Sequence, residues 1–238
     1  MRPIGVVIGG MGPLASAEFV QSVYEANIPL TKEQSAPRLV LVSDPILEDR
    51  TSIIQQGNDN IFIKSLVDKF EMTNHIANFY VLTCVTAHYF FDKLPSKYQK
   101  ITINLLEVAL DSIKLTKEPV LLLSTKGTYD THLFNHPMIV YPTIKHQEQI
   151  HSYIYNLKQV GSNTEIMEEF FEFIQEISKQ YPIGGWLCGC TELHMLSKYI
   201  FKYYAKLNLN IIDPLWVIAK YWCDYENKYS IEKTERMA

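Results

Sequence analysis

Short apolar runs alternate along this chain with longer segments in which apolar residues return every three or four positions. The first run, "IGVVIGG" at 4–10, is β-branched and closes on glycines, as expected of a buried parallel strand feeding a loop. "SAEFVQSVYEAN" follows at helical spacing, with Ser16 placed to cap it. The same reading predicts strands at "RLVLVS", "NFYVLT", "KITIN", "PVLLLST", "MIVYPT", "GGWLCG" and "LNII". It predicts helices over 58–71, 86–94, 105–116, 128–135, 145–159, 164–180, 192–206 and 214–228. Such alternation calls for an α/β fold, with parallel sheets covered by helices on both faces.

Eight strands would fill one sheet, but "ITINLLEV" at 101–108 reads as a crossing between two four-stranded units. A chain of 238 residues has room for two domains of about 100–120 residues. The expected division is an N-terminal domain of residues 1–104 plus 207–238, closed by the last strand and helix, and a second domain of residues 105–206. "YSIEKTERMA" at 229–238 reads as a polar, frayed tail.

Charge and composition remove several function classes. With 47% hydrophobic and 20% charged residues and a net charge of −4, there is no basic surplus for nucleic acid and no like-charge block for an interaction tail. The apolar run near the start is too short for a signal-peptide core, and none reaches the length of a membrane span, so the expected location is cytoplasmic. Four cysteines (Cys84, Cys188, Cys190 and Cys223) without a secretion signal argue for reduced thiols. The aromatic stretches "AHYFF" and "KYIFKYY" suit either the core or a homodimer face.

Ligands of parallel sheets sit outside the carboxyl ends of the strands. The loops expected there are "GGMGPLAS", "SDPILEDRTS", "TCVTAH", "STKGTYD" and "CGCTELH". Two of them are alike: "LTCVTAHYF" and "LCGCTELHM" each run from apolar residues into a cysteine, then a threonine, then a predicted helix. A lone strand-end cysteine is inert core filler about as often as not. A matching pair, one in each half, favours chemistry. A thiol at a helix N-terminus lies near unpaired N–H groups that lower its pKa. Placed on opposite faces of a carbon acid, a thiolate can remove a proton while a thiol delivers one, inverting a stereocentre without a cofactor.

A metal reading has its own support in the i, i+4 pairs Cys84–His88 and Cys190–His194. Those pairs lie on separate halves, however, and lack the close spacing of strong zinc motifs, so both histidines are better read as capping or supporting groups. Cys188 is expected to pack within its strand, and Cys223 in the core. "GGMGPLAS" matches neither nucleotide-binding glycine pattern, though its amides suit a carboxylate at the following helix N-terminus. A surface arginine is normally just solvated, but Arg50 in "EDRTS" falls in a rim loop, where it can fork onto a carboxylate through two hydrogen bonds. Lys158 in "IYNLKQVG" sits near a helix end, where lysine often only offsets the dipole.

Taken together, these segments resemble the aspartate/glutamate racemase superfamily, in its aspartate racemase branch, over nearly the whole chain. "GVVIGGMGPLAS" is similar to the family's opening strand and glycine loop, "PILEDRTS" to its arginine loop, and "LTCVTAHYF" and "GCTEL" to its two cysteine motifs. "LLSTKGTYDTHLF" is similar to the start of its second domain, "IYNLKQVG" to its lysine helix and "IIDPLWVIA" to its closing segment. The resemblance implies two pseudo-symmetric flavodoxin-like (Rossmann-like) domains facing across a cleft. Cys84 and Cys190 would be the acid–base pair, with no pyridoxal phosphate and no metal. It implies an acidic amino acid as substrate, aspartate ahead of glutamate, its carboxylates bound by Arg50 and Lys158. Thr86, Thr125, Thr128, Thr191 and the Met11–Gly12 loop would add hydrogen bonds, and Thr83, Val85 and Glu192 complete the expected substrate-binding set.

One departure stands out. The first cysteine motif in this family usually reads P-C-N-T-A-H, and here the Pro is Thr83 and the Asn is Val85. Losing a hydrogen bond to a charged group costs about 1.5–3 kcal/mol. A ligand-binding or regulatory member that keeps the cleft without turnover is the alternative this departure raises.

Overall fold

The computed structural model describes residues 2–30 and 32–237. Two four-stranded, all-parallel sheets are formed. The first contains β1 (Gly5–Gly9), β2 (Leu39–Ser43), β3 (Phe79–Leu82) and β4 (Thr102–Ile103), in the order β2-β1-β3-β4. Its connections carry α1 (Pro13–Asn27), α2 (Arg50–Gln56), α3 (Asp59–Thr73) and the single turn α4 (Ser96–Gln99). After α5 (Leu105–Ile113), the second sheet repeats the pattern with β5 (Val120–Ser124), β6 (Ile139–Val140), β7 (Gly185–Gly189) and β8 (Ile211–Ile212), in the order β6-β5-β7-β8. Its helices are α6 (Lys126–Asp130), α7 (Ile144–Val160), α8 (Thr164–Ser178) and α9 (Leu193–Tyr203), and the chain closes with α10 (Pro214–Lys220) and α11 (Trp222–Met237).

The central strands read as unbroken apolar runs because helices cover both their faces: β1, β3 and β5 are buried at every residue. Because the two strand orders correspond, β3 and β7 hold equivalent central positions, each paired in register with the strand that opens its own half. Side-chain caps set several helix starts: Asp49 accepts from Thr51 N at 2.8 Å for α2, Asn104 from Leu106 N for α5, and Asp213 from Leu215 N for α10. No helix among the described residues is long and apolar enough to cross a membrane.

Several local expectations are corrected. The first helix begins at Pro13, not beyond Ser16, because proline fits the first helical position, where its missing N–H costs nothing. Ser16 therefore lies inside the helix and donates to Gly12 O at 2.8 Å. The segment 86–94 winds as a 3-10 turn over Thr86–Lys93. The helix expected over 128–135 is the short α6, ending ahead of His132, whose φ of 49° breaks the run. The helix expected over 214–228 is split at Tyr221. Helix α2 was hidden in a presumed loop, although Asp49 before it and Gly57 (φ 67°) after it are cap signals.

The closing strand is also corrected. Expected to return to the first unit, β8 instead pairs with β7, Trp186 beside Ile211 and Leu187 beside Ile212. A strand, one short helix and a second strand form a parallel crossover unit, which sets the new strand in the sheet it has just left. The helices after it do cover the first sheet: Trp222 is fully buried, its ring 5.0 Å from Phe79 and 6.1 Å from Phe19. The tail expected to fray from residue 229 is helical to Met237, while Ala238 lies outside the described residues.

Truncating Trp222 would empty a contact shared by α1, β3 and the C-terminal helix. Trp222→Ala is expected to cost about 3–5 kcal/mol, read as a lower urea midpoint with an unchanged slope.

Candidate active site

Cys84 stands two residues beyond β3 and Cys190 directly beyond β7, at the carboxyl ends of the equivalent central strands. Each is buried, at 5% exposure. The threonine of each motif reaches into the opposite half. Thr86 Oγ1 lies 3.0 Å from both Thr125 Oγ1 and Thr128 Oγ1, at the start of α6. Thr191 Oγ1 donates to Thr83 O at 3.3 Å, directly ahead of Cys84. Thr83 turns its own hydroxyl inward, 2.9 Å from Ser16 Oγ and 3.1 Å from Ile8 O. It therefore ties β1, α1 and the cysteine loop together.

Cys190 Sγ donates to Glu192 Oε2 at 2.8 Å. Burial pushes this thiol well up, and the Glu192 carboxylate adds to that against the pull of Lys158. The lowered pKa expected from a helix N-terminus is thus reversed at Cys190, because a desolvated thiol beside a carboxylate resists ionising. Glu192 is itself buried, and its Oε1 has no hydrogen-bond partner. A Cβ at residue 12 would collide with that carboxylate, so Gly12 lets the first loop run close against the second cysteine motif, and a larger residue would displace Glu192.

Arg50 donates from Nη2 to Met11 O at 2.9 Å, and its Nε is buried without a partner. Burial alone would lower the guanidinium, but Cys84, Asp49 and Glu192 hold its pKa above the ordinary value. Lys158, at the end of α7, behaves alike: burial pulls it down, while Cys190, Glu192 and Tyr155 raise it to a net upward shift. Its ammonium lies 4.4 Å from the centre of the Tyr155 ring. The two cations therefore share an electrostatic neighbourhood with both cysteines and Glu192, contributed by both halves.

The structure thus brings together Met11, Gly12, Arg50, Cys84, Lys158, Cys190 and Glu192, with Thr83, Thr86, Thr125, Thr128 and Thr191 linking their loops. Val85 is 2% exposed and belongs to a large apolar cluster with Ile103, Leu105 and Leu122. Two groups escaped the sequence reading. Asp49 lies 3.9 Å from Arg50 and 4.0 Å from Lys158, and the Tyr155 hydroxyl engages it from α7. Their signals were a capping acid beside the arginine and an aromatic three residues before the lysine, on the same helix face.

Both histidines are engaged in ways that leave the Cys/His pairs unconverged. His88 donates from Nδ1 to Cys84 O at 2.9 Å and accepts from Leu105 N at Nε2, 3.2 Å away, which caps α5. Burial drives its pKa down to about 4, so the ring is neutral. His194 bonds Asp213 through Nδ1 at 2.6 Å and meets Ser22 Oγ through Nε2 at 2.8 Å, joining α1, α9 and the α10 cap. Burial would raise the Asp213 carboxyl, but His194 and Ser197 hold it below its ordinary value. No group of three or more His, Cys, Asp or Glu residues among the described residues is placed to hold a metal ion.

Comparison with known proteins gives the family and the fold. The profile of the Asp/Glu/Hydantoin racemase family matches residues 8–222, and the chain belongs to that family. Its fold is similar to that of the aspartate racemase of Picrophilus torridus, at 22% identity and a TM-score of 0.78 over 96% of this chain and 94% of that one. An aspartate racemase homologue from Pyrococcus horikoshii aligns at 19% identity and a TM-score of 0.71, over 95% of this chain and 100% of that one. The glutamate racemase of Campylobacter jejuni aligns at 16% and 0.56, over 94% and 86%. The chain thus shares the fold of these proteins.

Two predictions follow from the buried groups. His88 is neutral in the fold, with a pKa of about 4 against an ordinary 6.5. The unfolded chain therefore takes up a proton between those values that the folded one does not, and stability falls as pH drops through that window, by about 3 kcal/mol. Urea unfolding at stepped pH is expected to show this slope, and His88→Gln to flatten it. Val85→Asn would bury an amide among apolar neighbours and is expected to destabilise the ligand-free protein by about 1–3 kcal/mol, measured by the same unfolding.

Proposed function

We propose that this protein is a cofactor-independent racemase of an acidic amino acid, aspartate ahead of glutamate, working by proton transfer at Cα between Cys84 and Cys190. The observation that carries this reading is the complementary pair of buried, unpartnered polar atoms, Arg50 Nε and Glu192 Oε1, in the neighbourhood of both thiols. An amino acid supplies what each lacks: a carboxylate for the guanidinium and an ammonium for the carboxylate. Lys158 places a second cation near Arg50, about the same Asp49 oxygen, and a side-chain carboxylate held by the two favours an acidic amino acid. The free thiols fit a cytoplasmic protein.

In one direction Cys84, as thiolate, takes the Cα proton while the Cys190 thiol gives its proton to the opposite face. The other direction starts from the state this leaves, with Cys84 as thiol and Cys190 as thiolate. The Cys190 thiolate then takes the Cα proton, and Cys84 as thiol delivers one. Arg50 and Lys158 hold the side-chain carboxylate in either direction, so that Cα stays between the two thiols. Hydroxyls of Thr86, Thr125, Thr128 and Thr191 hold the loops that present these groups.

Val85 motivates a second reading, a ligand-binding member of the family without turnover. Racemisation in heavy water separates the two. Under the racemase reading each enantiomer of aspartate gains deuterium at Cα, and Cys84→Ser or Cys190→Ser lowers the rate by about 10²- to 10⁴-fold, the usual contribution of a general acid or base. Full activity in both single variants would end the two-cysteine mechanism. Saturable calorimetric binding of aspartate without Cα exchange would favour the binding protein.

A further inference from the structure

Asp49 has no part in the mechanism above, yet it holds a distinctive place. Its two carboxylate oxygens are divided between separate tasks. Oδ1 accepts from Thr51 N at 2.8 Å and caps α2. Oδ2 stands almost equally far from Arg50 Nη2, at 3.9 Å, and from Lys158 Nζ, at 4.0 Å. Both separations exceed those of charge-assisted hydrogen bonds, which close to about 2.7–2.9 Å. Neither cation is therefore hydrogen-bonded to Asp49, and each can turn its donors elsewhere.

The three groups also come from different halves. Asp49 and Arg50 begin α2 in the first half, while Lys158 and Tyr155 stand on α7 in the second. The Tyr155 hydroxyl engages Asp49 and Thr51 together. The Asp49 side chain is 31% exposed, against 10% for Arg50 and 19% for Lys158, so the anion sits nearest solvent. Arg50, Lys158, Asp49 and Glu192 thus bring two basic and two acidic side chains together.

We propose that Asp49 is an internal occupant of the carboxylate subsite: its carboxylate latches α2 to α7 between Arg50 and Lys158, and a ligand's side-chain carboxylate must take those cations over from it. The competition part rests on the acidic-substrate reading above; the latch does not. A ligand bearing a side-chain carboxylate supplies the charge that replaces Asp49, and an isosteric amide does not. Asp49 thus acts as a specificity-determining residue: by competing for the same cations it weakens the grip on aspartate and narrows the gap between aspartate and asparagine.

Asp49→Asn provides the test, because asparagine keeps the α2 cap and removes the charge. Calorimetry with L-aspartate is expected to give about three- to tenfold tighter binding in the variant, the scale of one removed surface-to-half-buried charge contact. Affinity for L-asparagine should change less than twofold. Weaker aspartate binding in Asp49→Asn would overturn the competition, since it would make the carboxylate a helper of binding. The latch is read separately, by hydrogen exchange in the ligand-free protein. Asp49→Asn and Tyr155→Phe should both speed exchange in α2 and α7 and leave the β1 and β5 amides unchanged. Unchanged exchange in α2 and α7 in both variants would overturn the latch. Faster exchange in a protein whose wild type binds no aspartate would keep the latch and end the acidic-substrate reading.

Discussion

Four threonine hydroxyls do for this fold what a covalent staple does elsewhere: they fix one half against the other at the two places where geometry matters most. Thr86, in the loop of Cys84, closes on Thr125 and Thr128 across the interface, and Thr191, next to Cys190, closes on the carbonyl just ahead of Cys84. The ties are reciprocal, so neither cysteine loop can move without pulling on the half that carries the other. Being buried, each hydroxyl would be costly to leave unpaired, which makes separation of the halves unfavourable out of proportion to the number of bonds. Gly12 then permits the closest approach, where the first loop runs against the Glu192 carboxylate.

The charges around this joint act on one another across both halves. A buried thiol facing a carboxylate holds its proton. Lys158, whose own pKa the thiol and the carboxylate raise, pulls the other way. Burial, often read as a mark of an inert cysteine, here comes with a partner for the proton. That partner separates Cys190 from Cys188, whose pKa is also raised by burial, but which lies within β7 and has no side-chain hydrogen bond to a carboxylate.

Much of this was legible in the residues. "IGVVIGG" and "PVLLLST" read as buried central strands because runs covered on both faces need no polar alternation, and the matched cysteine motifs marked equivalent strand ends. The pairing of β8 was not legible, since an apolar run of two to four residues fits any open sheet edge and only the helix before it fixes the choice. Nor was the position of Val85, because a motif states which residue type is absent but not whether the replacement packs among Leu105 and Leu122. Asp49 was overlooked for a different reason. Its capping role is local and readable, whereas its place between two cations depends on α7, about a hundred residues onward.

The course of the last segment has a consequence for the history and handling of the chain. β8 completes the sheet of one half, and α10 and α11, directly after it, supply Trp222 to the core of the other. The pseudo-repeat is therefore not a pair of exchangeable modules. Cutting the chain after residue 206 would strip an edge strand from one half and a buried indole from the other, so neither half is a self-sufficient fragment. If two equal copies once stood side by side, their independence ended when this strap was threaded across both, and synthesis of either half alone leaves apolar surface that only the C-terminus can cover.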